Sequence, residues 1–152
     1  MKYYVAYGSN LNMEQMAVRC PDAKPYRAGY LKDYSLIYRG SKTGSYASIR
    51  KQKGMIVPVG VWTISSRDEL NLDRYEGYPI FYQKQTLPVT FEDGRTVEGM
   101  VYIMHRGARA GRPSKRYIST LIQGYTDFDL NPDYLLESIV MNRIETEGDF
   151  KN

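Results

Sequence analysis

A glycine-containing turn near the N-terminus has the composition of an anion-binding site. Its residues are Tyr7, Gly8, Ser9, Asn10 and Leu11, between a short strand pattern and a helical pattern. Glycine lets a ligand approach the backbone closely, and successive amides beside a helix N-terminus attract negative charge. Such a turn suits a carboxylate or a carbonyl oxygen that develops negative charge. Taken alone, it is more often an ordinary strand-to-helix connection, and that alternative stays open here.

The second candidate group is the carboxyl of Glu76, in the last turn of a predicted helix. The helix dipole there favours cations, and Tyr75 and Tyr78 would exclude water, so both effects would raise the pKa of an acid. A carboxyl with a raised pKa can take a proton and return it, as a general acid–base catalyst must. The alternative is a solvated surface acid paired with Arg74 or Lys84.

Other chemistries have weaker support in the sequence. Ser9 lacks the G-x-S-x-G frame of a nucleophilic serine, and neither a dinucleotide-binding glycine motif nor a P-loop is present. One histidine and one cysteine offer no cluster of metal ligands. Cys20, on the apolar face of a predicted helix beside Pro21, is interpreted as a packing residue. We therefore predict neither a metal nor a cofactor.

Length and composition predict one domain, residues 1–152, that folds without disulfide bonds. The chain has a single cysteine, which favours a reducing cytoplasm, and it has no signal-peptide pattern or long apolar run. A net charge of +4 and 15 tyrosines would allow nucleic-acid binding. The basic residues are scattered, however, so nucleic acid is disfavoured as a partner and no membrane contact is expected.

The elements that must position these groups form an α+β pattern. Strands are predicted at residues 2–6, 26–30, 34–39, 46–51, 55–64, 80–91 and 95–105, the last two joined by the turn Glu92-Asp93-Gly94. The loop at 107–113 is interpreted as a flexible crossing. Neighbouring strand pairs with helices at intervals predict a small mixed, mostly antiparallel β-barrel with flanking helices.

Four helices are predicted from their ends and apolar spacing. The first follows Asn10 or Asn12 and stops at Pro21; the second has a capping box at residues 66–69 and ends at Gly77. The fourth begins at Asn131-Pro132. The apolar stripes assigned to the third and fourth helices are, respectively, Tyr117, Ile118, Leu121, Ile122 and Tyr125, and Leu135, Leu136, Ile139 and Val140.

The order of these motifs resembles the γ-glutamylcyclotransferase-like superfamily, including its plant avirulence-induced branch. The turn at residues 7–11 resembles the family's N-terminal signature, and residues 59–62 with 72–77 resemble its strand, helix and acidic motif. Further similarity lies at Tyr82 and in the C-terminal segments around Pro113, Ser114, Tyr117, Gly124, Pro132, Tyr134 and Leu135. The resemblance covers nearly the whole chain.

The resemblance implies a barrel fold, a place in glutathione-related metabolism, and a cyclising transferase or lyase chemistry that releases 5-oxoproline from a γ-glutamyl amino acid or amine. It implies that Glu76 is the acid/base and that the 7–11 turn, Tyr82 and Tyr117 bind the substrate in one shared cavity. Two alternatives stay open: an enzyme that removes a γ-glutamyl protecting group in a biosynthetic pathway, and a non-catalytic carboxylate-binding module. A homodimer is also left open.

Overall fold

The computed structural model describes residues 1–150; residues 151 and 152 of the predicted domain lie outside the described range. Five strands close a mixed barrel in the order β1-β3-β2-β4-β5. The strands are β1 (Lys2–Ala6), β2 (Lys24–Arg39), β3 (Tyr46–Ile64), β4 (Tyr82–Thr90) and β5 (Thr96–Met104), and the helices are α1 (Met13–Arg19), α2 (Ser66–Glu76), α3 (Lys115–Asp127) and α4 (Pro132–Glu145). The predicted barrel with flanking helices is confirmed.

Two long strands, β2 and β3, replace the four strands predicted at residues 26–30, 34–39, 46–51 and 55–64. β2 and β3 pair along their length as one antiparallel hairpin, with a register shift between Lys32 and Tyr34. At the shift Asp33 has a φ of 64° and Gly54 a φ of 85°, and the Gly54 amide donates to the Asp33 carboxylate over 2.9 Å. The sequence-based strand breaks were therefore wrong, because the irregularity is a bulge that interrupts the register without ending either strand.

The core fills the barrel with side chains from alternate strand positions. Val57, Val59 and Val61 of β3 are fully buried, as their period-2 spacing predicts. β1 pairs antiparallel with β3 and parallel with β5, and this single parallel contact closes the barrel. Among residues 1–150, no helix is sufficiently long and apolar to span a lipid bilayer.

Helix α2 is capped one residue earlier than its sequence motif predicts. The N-cap is Ser65, whose hydroxyl accepts from the Asp68 amide over 3.1 Å, while the Asp68 carboxylate accepts from the Ser65 amide. The predicted box at residues 66–69 was wrong because an aspartate completes the box as well as a glutamate does. Gly77 ends the helix in the left-handed conformation, as predicted.

The C-terminal helices pack on the outside of the barrel, and their predicted apolar stripes are partly wrong. In α4, Leu135 is buried but Leu136 and Val140 are more than half exposed. The inward positions are taken by Ser138, which bonds Tyr38 at 2.8 Å, and by Asn142. In α3, Ile122 was assigned to the apolar stripe but is exposed. Polar side chains with buried partners have displaced the expected apolar ones.

Candidate active site

One cavity of about 820 Å³ opens at the barrel mouth and brings together all but one of the sequence-predicted site residues. Those that line it are Tyr7, Gly8, Ser9, Asn10, Glu76, Tyr82 and Tyr117. Leu11 is the exception, because its side chain is completely buried against α3 and serves the core. The cavity is within the size range of about 300–1,000 Å³ that is usual for small-molecule sites.

The turn that follows β1 forms a short 3-10 helix, Ser9–Leu11. The Leu11 amide donates to the Gly8 carbonyl and the Asn12 amide to the Ser9 carbonyl, each over 3.0 Å. The first amides of a helix have no acceptor within it, so the amides of Ser9 and Asn10 are left to face other partners. Both residues line the cavity, and successive amides in such a turn can bind an anionic or carbonyl oxygen.

Asn10 fixes the turn from four directions. Its side-chain amide donates to the Tyr4 hydroxyl over 2.9 Å and, more weakly, to Glu76 Oε1 over 3.4 Å, and its Oδ1 accepts from Arg19. Its backbone carbonyl accepts from the Trp62 indole over 3.0 Å. Because the residue is almost fully buried, these bonds hold the turn in one position relative to the Glu76 carboxyl.

Burial raises the pKa of Glu76 from its ordinary value of 4.5 to about 7, and the nearby Arg19 guanidinium opposes the shift. The pKa of Glu76 is shifted in the predicted direction. The predicted cause was different, however, because Tyr75 and Tyr78 are both substantially exposed and are not the main barrier to water. The alternative of a surface ion pair fails for Lys84, which instead bonds Glu69 and Asp73. Among residues 1–150 no ion pair to Glu76 is formed.

Several tyrosines line the cavity, and three of them, Tyr7, Tyr82 and Tyr117, are neutral phenols because burial raises the pKa of each one. Tyr7 donates to the Tyr102 carbonyl over 2.6 Å, and Tyr82 donates to the Ala47 carbonyl over 2.8 Å. The hydroxyl of Tyr117 accepts from the Ala47 amide over 3.0 Å, which leaves its own proton available to the cavity. The tyrosines therefore tie β1, β4 and α3 to the wall of one site.

Sequence reasoning missed residues that complete the site from other elements. Arg19 stacks on Tyr75 with 3.5 Å from its guanidinium carbon to the ring centroid, while it also bonds Asn10. Tyr4 bonds Asn10, and Tyr102 donates to Asp73 of α2 over 2.6 Å. Of these residues, only Tyr4 could have been found from the sequence, because it lies three residues before the predicted turn.

Two loops form the outer wall of the cavity. The 105–113 loop is bonded to the hairpin loop between β2 and β3: the Gly40 amide donates to the Arg109 carbonyl and the Gly44 amide to the Arg112 carbonyl, each over 2.9 Å. The segment at 107–113, which was predicted to be a flexible crossing, is held by backbone bonds across the two loops, and these bonds take the place of secondary structure. Within residues 1–150, no three His, Cys, Asp or Glu side chains are grouped to hold a metal ion.

Cys20 is buried, and its burial raises the pKa of the thiol to about 12. Its sulfur lies 3.7 Å from the Asp68 carbonyl, between α1 and α2. A thiol in this state is neither ionised nor accessible at neutral pH, as expected for a packing residue.

Comparison with known proteins identifies one family. The family model described as gamma-glutamyl cyclotransferase, AIG2-like, matches residues 4–120. Gamma-glutamylcyclotransferases from Bos taurus and Homo sapiens are each 28% identical over 139 residues, covering 86% of this chain and 73% of the relative. A solved gamma-glutamyl cyclotransferase structure superposes with a TM-score of 0.83 at 25% identity, covering 90% of this chain and 85% of its own. Since the family model spans most of the sequence, this chain belongs to the gamma-glutamyl cyclotransferase, AIG2-like family.

Proposed function

We propose that this protein is a γ-glutamyl cyclotransferase that releases 5-oxoproline from a γ-glutamyl compound, with Glu76 as its acid/base. The observation that carries the proposal is the shared cavity: a carboxyl whose pKa burial raises to about 7 lines the same cavity as Ser9 and Asn10, and the Asn10 side chain lies 3.4 Å from Glu76 Oε1. Two relatives named gamma-glutamylcyclotransferase support the same class of reaction.

The first step is deprotonation of the substrate's α-ammonium by Glu76. The free amine then attacks the carbonyl carbon of its own γ-amide and closes a five-membered ring. Both reacting groups belong to one molecule, so the protein needs only to hold the folded conformer, and such positioning lowers a barrier strongly. A pKa near 7 suits this step, since the carboxylate form is populated at neutral pH and is still basic.

The second step is collapse of the tetrahedral intermediate. The carbonyl oxygen becomes an oxyanion, and the amides of Ser9 and Asn10, with the neutral phenol of Tyr117, are the available donors. Glu76 returns its proton to the departing nitrogen, the ring nitrogen gives up its second proton to the leaving amine, which departs as an ammonium ion, and the carbonyl reforms as 5-oxoproline. The proton taken in the first step is therefore the proton given in the second, and no cofactor is consumed.

The buried carboxyl also bears on the two alternatives. A carboxylate-binding module gains nothing from an unpaired acid beside its anion site, because the two negative charges repel each other. An enzyme that removes a γ-glutamyl protecting group uses the same two steps with a larger departing amine. A deprotecting enzyme differs from an amino-acid-releasing enzyme only in the leaving group. Which γ-glutamyl compounds the protein turns over therefore distinguishes the two.

The test is a panel of γ-glutamyl compounds with 5-oxoproline detected by mass spectrometry, applied to the parent, Glu76→Gln and Glu92→Gln. Glu76→Gln keeps the size of the side chain but cannot accept and return a proton, so kcat should fall about 10²–10⁴-fold with KM little changed. Glu92, in the exposed β4–β5 turn, is the matched control and should behave as the parent. Parental turnover by folded Glu76→Gln would refute the assignment.

A further inference from the structure

A second cavity, of about 490 Å³, is formed by parts of the β2–β3 hairpin, β4 and the end of β5. It shares Met104, His105 and Ala108 with the candidate active site, but neither Glu76 nor any residue of the 7–11 turn lines it. Its volume is within the range of about 300–1,000 Å³ that is usual for small-molecule sites. The proposed cyclisation makes no use of this second cavity.

The charged side chains that line the second cavity are basic: Arg39, Arg50, Lys51 and Arg106. The carboxylate of Glu145 bonds Arg39 through both oxygens, over 3.0 and 2.9 Å, and lies 3.7 Å from Arg50. Among residues 1–150, the side chains of Lys51 and Arg106 make neither a hydrogen bond nor an ion pair. One carboxylate against four cations leaves an excess of positive charge, which attracts anions to the cavity.

The positive charge collects here because the fold joins two segments that contain no acidic residue. Residues 34–67 and 99–126 carry eleven of the 21 lysines and arginines and none of the 17 aspartates and glutamates. The Met104 amide donates to the Ser48 hydroxyl over 3.0 Å, and Arg39 forms an isolated bridge with Ala110. These contacts hold the two basic segments side by side, although the cations themselves are spread along the sequence.

The same cavity has an apolar lining, which inorganic anions do not require. It consists of Tyr34, Ile37, Ile49, Ile103 and Met104, of which Ile49 is buried and the others are half-buried. The hairpin register places Ile37, Arg39 and Arg50 on one face, so apolar and cationic side chains are neighbours. The side-chain amides of Gln83 and Gln85, which also line the cavity, can both donate and accept hydrogen bonds.

We infer that the second cavity binds a nucleoside phosphate. Arg50, Lys51 and Arg106 hold the phosphates, since guanidinium and ammonium groups are the usual phosphate ligands. The apolar lining and the two glutamines take the base, which is flat, apolar on its faces and polar at its edge. Glu145 competes with the phosphates for Arg39 and Arg50 in the free protein.

The experiment is isothermal titration calorimetry of the full chain with ATP, GTP and UTP, with the corresponding nucleosides, with inorganic triphosphate and with a twelve-residue oligothymidylate. At least one nucleotide should bind with a Kd below about 1 mM. Its nucleoside and inorganic triphosphate should each bind about tenfold or more weakly, because each lacks one of the two sets of contacts.

Two pairs of variants separate local contacts from net charge. Lys51→Gln should weaken binding of the nucleotide about tenfold, as expected for loss of a charged hydrogen bond, whereas Lys32→Gln, an exposed lysine of β2 that lines neither cavity, should not. Glu145→Gln should tighten binding roughly two- to fivefold by freeing Arg39 and Arg50. Glu92→Gln makes the same change of charge in the β4–β5 turn and should have no effect. Thermal unfolding of each variant establishes that it is folded.

Several results would overturn the inference. Inorganic triphosphate that binds as tightly as the best nucleotide would mean that the cations hold any anion. Oligothymidylate that binds more tightly than every nucleotide would assign the surface to single-stranded nucleic acid. Equal effects in Lys51→Gln and Lys32→Gln would place the nucleotide elsewhere, and the absence of binding at 1 mM would remove the site. None of these measurements uses 5-oxoproline formation, so the inference and the proposed function stand or fall separately.

Discussion

Glu76 ends helix α2 at a cavity, where burial withholds full solvation from its charge and, among residues 1–150, no ion pair compensates. Its raised pKa is thus both a proposed catalytic property and a cost to folding. The folded state prefers the protonated form, so the contribution of Glu76 to stability is complete below about pH 4.5 and is lost as the pH rises through about 7.

This linkage predicts how Glu76→Gln changes stability. A rise in the Glu76 pKa from 4.5 to about 7 on folding changes the free energy of unfolding by roughly 3 kcal/mol between low and high pH. The variant should match the parent at pH 4.5 and exceed its free energy of unfolding by up to that amount at pH 8, since glutamine carries no charge to bury. Urea unfolding at the two pH values measures the difference. An equal difference at both would mean that Glu76 titrates normally.

The same group predicts the pH dependence of activity. Because the base must be ionised, kcat/KM should rise with pH and reach half its maximum near 7. Arg19 lowers the pKa of Glu76, so Arg19→Gln should move this midpoint to higher pH whatever it does to the maximum rate. A midpoint that stays in place in Arg19→Gln would assign the ascending limb to another group.

Individual elements are positioned by contacts that their own sequence does not reveal. Gly77, the Asn131-Pro132 start of α4 and the 92–94 turn were predicted correctly, because each signal is complete within a few residues. The continuity of β2 past Asp33 was missed, since it depends on pairing with β3 more than on local composition. The site residue Arg19 was missed because it meets Asn10 only through folding of α1 against the turn.

Helix α3 approaches the turn so closely that one position requires glycine. A Cβ at Gly124 would lie 2.6 Å from the Leu11 Cβ and 3.0 Å from the Asn12 amide nitrogen. Gly124→Ala gains about 1 kcal/mol of helix propensity, but the overpacking costs about 1–3 kcal/mol against a backbone that cannot easily move. The variant should be destabilised by about 1 kcal/mol.

The turnover of Gly124→Ala should fall even where the variant is fully folded, because the displaced helix carries Tyr117 at the cavity. Thermal unfolding and 5-oxoproline assays at a temperature where the variant is fully folded measure the two effects. Gln123→Ala, on the exposed side of the same turn of α3, is the control and should keep parental activity. Parental turnover by Gly124→Ala would show that the site tolerates a shift of α3.

At the scale of the whole molecule, the family resemblance read from the sequence is confirmed, and so is the barrel. The structure adds the way in which the C-terminal helix supports the outer wall of the cavity. The Asn142 side chain donates to the Gly111 carbonyl over 2.8 Å, and Arg112 donates to Thr146 over 3.0 Å. No pattern in either segment predicted that α4 and the 105–113 loop would meet, because the bonds join positions far apart in the chain.

Asn142→Ala tests this support. Loss of a buried hydrogen bond leaves the Gly111 carbonyl without that donor and should cost about 1–3 kcal/mol, partly as local loosening of the loop. Hydrogen exchange should therefore quicken at the Gly40, Gly44 and Arg112 amides, which bond across the two loops. KM should rise with kcat nearly unchanged, because Glu76 and the Ser9–Asn10 turn are held by other elements. Met141→Ala, exposed on the same helix, should leave exchange and KM as in the parent. If exchange at these three amides does not change in Asn142→Ala, α4 does not hold the wall of the cavity, and the two loops support each other unaided.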